Sequence, residues 1–474
     1  MASSWNRRRL LQAGIGTLTA AGPLTVAGPG SGGQQAAKPA ATKTPRLVAE
    51  PARQVPVVAD ADVVVCGGGP AGVAAAVAAA RVGAKTLLLE LHGCLGGIWT
   101  TGLLSWILDH QNKKGLMAEL LRRLAERDGR TVTPKGVPTN AYDVEVMKIT
   151  LEDMCLQAGV QMQLHTRLCG AVKQPDGRLT HVITESKSGR EAVAGKVFVD
   201  CTGDGDLGAA AGCGFDFGHP ETGRTQPLTL MALVTGIVPA EVAEYYREQD
   251  GQPWASPKDR LRAEMERGGH SPSYAKPTLF RVRNELFALM TNHEYGFRGV
   301  DARDVTRATL HARKEIHELV DGLRSLGGVW KNLRLVATAA QIGVREGRRL
   351  HGQYIVTAED LRAGRTQEDG VCRVTFGIDV HSTDPSKEKG IERSGFRAKP
   401  YDIPLRALIA RDVPALLMAG RCISGDFIAH SSYRVTGNAV VLGEAAGVTA
   451  ALAAVNNRLP AAVPWSDVAQ RLGA

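Results

Sequence analysis

Nowhere in the 474 residues do two cysteines form a C-x-x-C pair; the eight stand at 66, 94, 155, 169, 201, 213, 372 and 422. Zinc sites and iron–sulfur clusters draw on closely spaced thiols, so neither is expected and no metal site is assigned. Eight thiols are also few for a disulfide framework of this length. Several lie in apolar runs, and buried free thiols are the expectation. The chain shows no internal repeat, which sets aside solenoids and propellers. A broad basic surface is missing too. Of the net charge of +9, six units come from residues 1 to 59, where seven basic groups meet the single acid Glu50. The remaining body carries about +3, no footprint for a nucleic-acid partner.

What is present begins with the N-terminus. Arg7-Arg8-Arg9-Leu10-Leu11 precedes a short apolar stretch, Ala13 to Ala27, broken by glycine and proline. That stretch is too short and interrupted for a membrane span, so no stable membrane insertion is expected. Two arginines, any residue and two bulky apolar residues resemble a twin-arginine leader, which implies export of an already folded protein to the periplasm and the export machinery as a partner. Residues 28 to 56 are rich in Pro, Gly, Ala and Lys without periodicity and read as linker.

From Ala61 the composition changes. Asp62-Val63-Val64-Val65-Cys66 has the β-branched run of a strand buried on both faces, followed by Gly67-Gly68-Gly69-Pro70-Ala71-Gly72 and an alanine-rich helix to Arg81. Gly67 permits the tight turn, Gly69 close backbone approach to a pyrophosphate, and Gly72 close packing of helix on strand. The helix start then offers its amides and dipole to the phosphates. A second strand, Thr86 to Leu89, ends in Glu90, placed to accept hydrogen bonds from the adenosine ribose.

Half a site does not say which dinucleotide binds. The next segment, Cys94-Leu95-Gly96-Gly97-Ile98-Trp99-Thr100, is small and glycine-rich and looks like a flavoprotein loop. Two further strips follow: a strand into Thr202-Gly203-Asp204-Gly205-Asp206, and a C-terminal strip from Ala415 through Gly425-Asp426 and His430-Ser431-Ser432-Tyr433-Arg434 to an apolar helix capped by Asn438. Asp204 and Asp206 suit turn and capping roles, and Cys94, with no second cysteine nearby, suits packing.

In order, G-G-G-P-A-G, L-G-G-x-x-T, T-G-D-G-D-L, R-E-G-R-R-L-H-G-Q-Y, A-G-R-C-I-S and H-S-S-Y-R-V resemble the bacterial FAD-dependent oxidoreductase family that includes heterodisulfide reductase-like flavoproteins, over residues 60 to 455. The resemblance implies bound FAD and a Rossmann-like, glutathione reductase-type α/β domain with a parallel sheet and a β-meander. The cluster-binding cysteine spacings of heterodisulfide reductases are missing. The expected organisation is a leader and linker over 1–59, the FAD-binding domain over 60–215 and 405–474, and an α+β substrate domain over 216–404. That middle block includes an amphipathic helix from Asp301 to Leu326.

Cofactor contacts are expected at Gly67, Gly69, Pro70, Ala71, Gly72, Glu90, Gly96, Gly97, Thr100, Gly203, Asp204, Asp426 and Asn438. For catalysis, Asp379 and His381 alternate in Phe376 to His381 and on a strand would share one face; His430 and Arg434 fall in the loop before the C-terminal helix. The expected reaction is hydride transfer between a small-molecule substrate and flavin N5, with an electron acceptor the sequence does not specify. An electron-relay or binding flavoprotein, or a nicotinamide-dependent dehydrogenase, are the alternatives.

Overall fold

Val63, Val64, Val65 and Cys66 are buried because their strand, Val57–Cys66, is central: it runs parallel to Thr86–Leu89 on one side and to Gly189–Asp200 on the other. The computed structural model describes residues 47–133, 135–246, 255–392 and 394–473. The arginine pair and the leader reading lie outside them. Two units separate along the chain, 1–53 and Gln54–Ala474. Residues 47–53 of the first have no regular structure.

In the second unit a seven-stranded sheet extends from the central pair. Gln161–Gln163 adds in parallel beyond Thr86–Leu89, and Leu416–Met418 pairs in parallel with Gly189–Asp200. The long strand Gly189–Asp200 also turns back through Leu179–Ser186 to Arg167–Lys173 as an antiparallel meander. Gly177, with φ 84°, makes the turn between Arg167–Lys173 and Leu179–Ser186. A parallel sheet joined to a meander is the architecture expected from the sequence.

Two small-residue helices cover one another. The helix Pro70–Arg81 packs against Thr436–Val455 so closely that a Cβ on Gly443 would lie 2.1 Å from the Ala71 carbonyl oxygen, and one on Gly447 2.1 Å from that of Ala75. The four-residue spacing on both helices lets backbone meet backbone along one face. Thr436–Val455 is long and apolar enough to cross a membrane, yet most of it is buried in this core.

A second core forms around an antiparallel sheet ordered Thr278–Arg283, Leu286–Met290, Ala232–Thr235, Arg334–Thr338. The helix Ala302–Ser325 packs on it through Ala308, Ala312, Ile316 and Leu319; Asp301 caps that helix by accepting from the amides of Arg303 and Asp304. This core runs from Leu228 to Val344 and takes in Leu103, Trp106, Ala141 and Val144. From Leu350 onward the side chains pack with the first core, including the strand pair Gly370–Val374 and Tyr401–Pro404. The block expected over 216–404 is thus shared between two cores. All eight cysteines are free thiols, and all but Cys94 and Cys169 are buried.

Candidate functional site

At the end of the central strand Gly67 takes φ 99°, and a Cβ there would sit 2.4 Å from the Cys201 carbonyl oxygen. No other residue fits that turn. Gly72 abuts the Gly67 carbonyl in the same way, whereas a Cβ on Gly69 would meet nothing within 4 Å. The glycine turn is therefore packed on its protein side and open at Gly69. Gly69 precedes the helix without a side-chain cap, Pro70 is its first residue and Ala71 is buried behind it. The first-turn amides are left for an anion. Glu90 is buried beside the turn: Oε2 accepts from the Gly68 amide at 2.5 Å and Oε1 from the His92 amide at 2.8 Å. The open glycine, the uncapped helix start and the carboxylate fit an adenosine diphosphate moiety.

The small-residue loop closes over the same turn. Gly96 donates its amide to the Gly68 carbonyl at 2.8 Å, and Gly97 comes so near that a Cβ would lie 3.2 Å from the Gly69 Cα. Thr100 is buried, with its hydroxyl donated to the Leu95 carbonyl at 2.6 Å, so it braces the loop. Across the sheet Gly203 lies against the Arg421 guanidinium, which pairs with Asp204 at 2.8 Å. The Asp204–Arg421 pair ties the second strip to the third.

Three local expectations are corrected. Residues Phe427–Tyr433 form a short helix rather than a loop, and Asp426 is its cap: Oδ1 accepts from the Ala429 amide at 2.7 Å, and Oδ2 from Ala358 at 2.6 Å. The following helix starts at Thr436 with Val435, not Asn438, at the cap; Val435 carries no side-chain oxygen, so no side chain closes that end. Asn438 is buried in the first turn and donates to the Tyr433 carbonyl at 3.4 Å. Third, Phe376 to His381 is not a regular strand. It has no regular structure apart from the isolated antiparallel bridge of His381 with Ile391, and is pinned by Asp379 N to Ser431 O at 3.3 Å and Glu392 N to Val380 O at 2.8 Å.

Asp379 and His381 nonetheless meet. His381 Nε2 lies 3.2 Å from Asp379 Oδ2, its Nδ1 lies 3.0 Å from His293 Nε2, and His293 Nδ1 lies 3.0 Å from the Tyr295 hydroxyl. Arg434 donates to the Asp379 carbonyl at 2.7 Å and its guanidinium lies 3.6 Å from Oδ2. Burial alone would raise the Asp379 pKa, but the hydrogen bond from His381 and the charges of Arg434 and Arg345 outweigh it and hold the carboxylate ionised. Burial, then the Arg345 charge, pushes His381 down to about 4 although Asp379 pulls upward; burial and Arg345 likewise lower His293. Both rings are therefore neutral at neutral pH.

An ionised Asp379 only accepts, which fixes the tautomers. His381 donates Nε2–H to it, His293 donates Nε2–H to His381 Nδ1, and Tyr295 donates its hydroxyl to His293 Nδ1. The chain ends at the Asp379 side chain, which is 24% exposed. Ile378, the residue before it, lines a shallow open depression with Glu392, Ser394, Gly395 and Phe396.

His293, Tyr295 and Arg345 carry no local sequence signal that joins them to this pair. His293 stands 88 residues from His381. Arg345 opens the motif Arg345-Glu346-Gly347-Arg348-Arg349, which was available as a pointer. It donates to the Pro227 carbonyl at 2.8 Å and the Thr229 hydroxyl at 2.7 Å, and stays protonated although burial and Arg434 lower it to about 10. His430 is fully buried; neither ring nitrogen has a hydrogen-bond partner among the described residues, and burial with the Arg434 charge keeps it neutral.

The two halves adjoin. Thr101 Oγ1 donates to the Gly97 carbonyl at 2.8 Å and lies 2.8 Å from Gln341 Oε1; Gly343 donates to Thr229 O at 2.7 Å, and Thr229 holds Arg345. Gly443, against Ala71, is five residues from Asn438, about 7.5 Å of helix.

No curated protein matches the chain in sequence. Solved structures similar to it include a geranylgeranyl bacteriochlorophyll reductase-like protein from Thermoplasma acidophilum, 14% identical over 88% of this chain and 82% of that one, TM-score 0.41. The flavin-dependent brominase Bmp2 is 12% identical over 87% and 83%, TM-score 0.44. The p-nitrophenol 4-monooxygenase PnpA from Pseudomonas putida is 11% identical over 87% and 84%, TM-score 0.43. The family model described as FAD dependent oxidoreductase matches residues 62–472. The chain therefore belongs to the FAD-dependent oxidoreductase family: it is an enzyme, and its cofactor is FAD.

Proposed function

We propose that this enzyme oxidises a small-molecule substrate by removing a hydride, while Asp379 and His381 together receive the accompanying proton. The carrying observation is the hydrogen-bonded chain Asp379–His381–His293, attached through Arg434 and Ser431 to the segment that leads into the C-terminal helix. That helix packs on the glycine-turn helix, so proton acceptor and cofactor cradle share one scaffold.

When bound, FAD supplies a two-electron acceptor at its isoalloxazine ring. Gly67, Gly69, Pro70, Ala71, Gly72 and Glu90 would hold the adenosine diphosphate end, and Gly96, Gly97, Gly203 and Asp204 would follow its course. Thr100, Asp426 and Asn438 shape the loops and helix ends around it. Asp379 orients a substrate hydroxyl or amine through its partly exposed carboxylate. His381 shares the arriving proton, and His293 is a positioning residue that fixes its tautomer. Arg434 and Arg345 keep the acceptor ionised until the proton comes. Turnover requires a separate electron acceptor as partner.

The heterodisulfide reductase-like subtype rests on the order of motifs. Export to the periplasm rests on Arg7-Arg8-Arg9-Leu10-Leu11 alone.

The test is anaerobic mixing of purified, flavin-loaded protein with sugars, amino acids and polyols, following absorbance. One class of donor should bleach the flavin. Asp379→Asn should keep its flavin yet be reduced about 10²- to 10⁴-fold more slowly. Unchanged reduction in that variant would remove Asp379 from the chemistry. Failure of every donor would favour an electron-relay role.

A further inference from the structure

His311 and Glu315 stand four residues apart on Ala302–Ser325, so their side chains leave one face of the helix a turn apart. Glu294 approaches them from the segment after Leu286–Met290. One ligating atom from each of the three lies within 4.8 Å of the others. His311 Nδ1 is 2.8 Å from Glu294 Oε2, which an ion pair would explain. The other oxygen it does not explain. The Glu294 side chain is only 2% exposed, and Oε1 is buried with no hydrogen-bond partner among the described residues. A buried carboxylate oxygen left without a partner is unfavourable, and a cation placed among the three side chains would satisfy it.

The surroundings are those of a built site. Glu294 exchanges backbone hydrogen bonds with Leu228 in both directions, at 2.8 and 3.2 Å, which fixes its position. Glu315 is oriented from behind: Oε1 accepts from the Ser273 amide at 2.7 Å and hydroxyl at 2.9 Å, and Oε2 lies 2.8 Å from that hydroxyl. Outer partners of this kind hold a ligating carboxylate in place. The His311 side chain is 66% exposed and gives an ion a way in.

We infer that Glu294, His311 and Glu315 form a binding site for a divalent transition-metal ion. One imidazole nitrogen with two carboxylates suits zinc or manganese better than calcium, which takes oxygen ligands alone. Three protein ligands leave a position for water. An ion there clasps the long helix to the segment carrying His293 and Tyr295, which gives it a structural role beside the active site and independent of the redox reading.

The test is equilibrium dialysis of the FAD-loaded full chain against micromolar zinc sulfate, with metal and protein quantified and surface thiols blocked beforehand. Wild type should retain one zinc per chain. His311→Ala, which alters a largely exposed ring, should fold and keep its flavin but lose affinity by at least roughly tenfold. Glu315→Gln should behave likewise. Equal retention by His311→Ala and wild type, or no zinc on the wild-type chain, would overturn the site.

Discussion

Glu90 and Asp379 do opposite things with the same functional group. Glu90 accepts two backbone amides and shapes the nucleotide turn; Asp379 sits at the exposed end of a polar chain between two arginines. Replacing Glu90 by Ala removes two charge-assisted bonds of about 1.5–3 kcal/mol each, and should weaken FAD retention by about ten- to a hundred-fold, read by ultrafiltration and flavin fluorescence. At Asp379 and His381 the effect shows in pH. His381 faces Asp379, His293, Tyr274, Arg345 and Arg434, and its pKa is pushed down to about 4. Above that pH the acceptor unit is free to take a proton; below it the proton is already there. The flavin reduction rate, measured by pH-jump stopped flow, should fall with unit slope as pH drops through about 4, and the midpoint should move lower in Asp379→Asn, where no carboxylate raises the His381 pKa. Residues adjacent in sequence were the legible ones: the Gly67–Gly72 turn, Glu90 and the Asp379/His381 pair. His293 and Arg345 were not, because only the fold brings them to His381. Asn438 was misread because asparagine favours caps in general, while the helix here begins right after Val435.

Elements with strong periodicity or composition were readable from residues alone. The helix Ala302–Ser325 falls within a residue of its apolar pattern at either end. Phe427–Tyr433 was not: His, Ser and Tyr are indifferent helix formers, and only the Asp426 cap marks its start. The extended run at Phe376 looked like a strand because alternation shows which residues share a side, whether or not a neighbour supplies a ladder. The contact between the two small-residue helices carries its own prediction. Gly443→Val would drive a side chain into the Ala71 carbonyl, and overpacking of this kind costs about 1–3 kcal/mol or more. Because Ala71 belongs to the first turn of the nucleotide helix, the variant should lose thermal stability and FAD together, seen by circular dichroism melting and flavin content. Loss of stability with full flavin content would mean the two helices do not jointly form the cradle.

For the whole molecule, one sheet with its meander gathers strips near residues 67, 96, 203 and 420 around a single cradle, while a second core between Leu228 and Val344 supplies His293, Tyr295 and Arg345. The parallel sheet was foreseeable from glycine turns that follow buried strands. The extent of the second core was not, since chain order gave no sign that residues beyond Leu350 return to the first. The central claim is that these separate strips converge on one FAD. It is tested most directly by the absorption spectrum of the purified full chain, followed by heat release and mass identification of the bound cofactor. The protein should be yellow and release FAD at one molecule per chain. A colourless protein, or one whose only bound nucleotide is a nicotinamide dinucleotide, would contradict it.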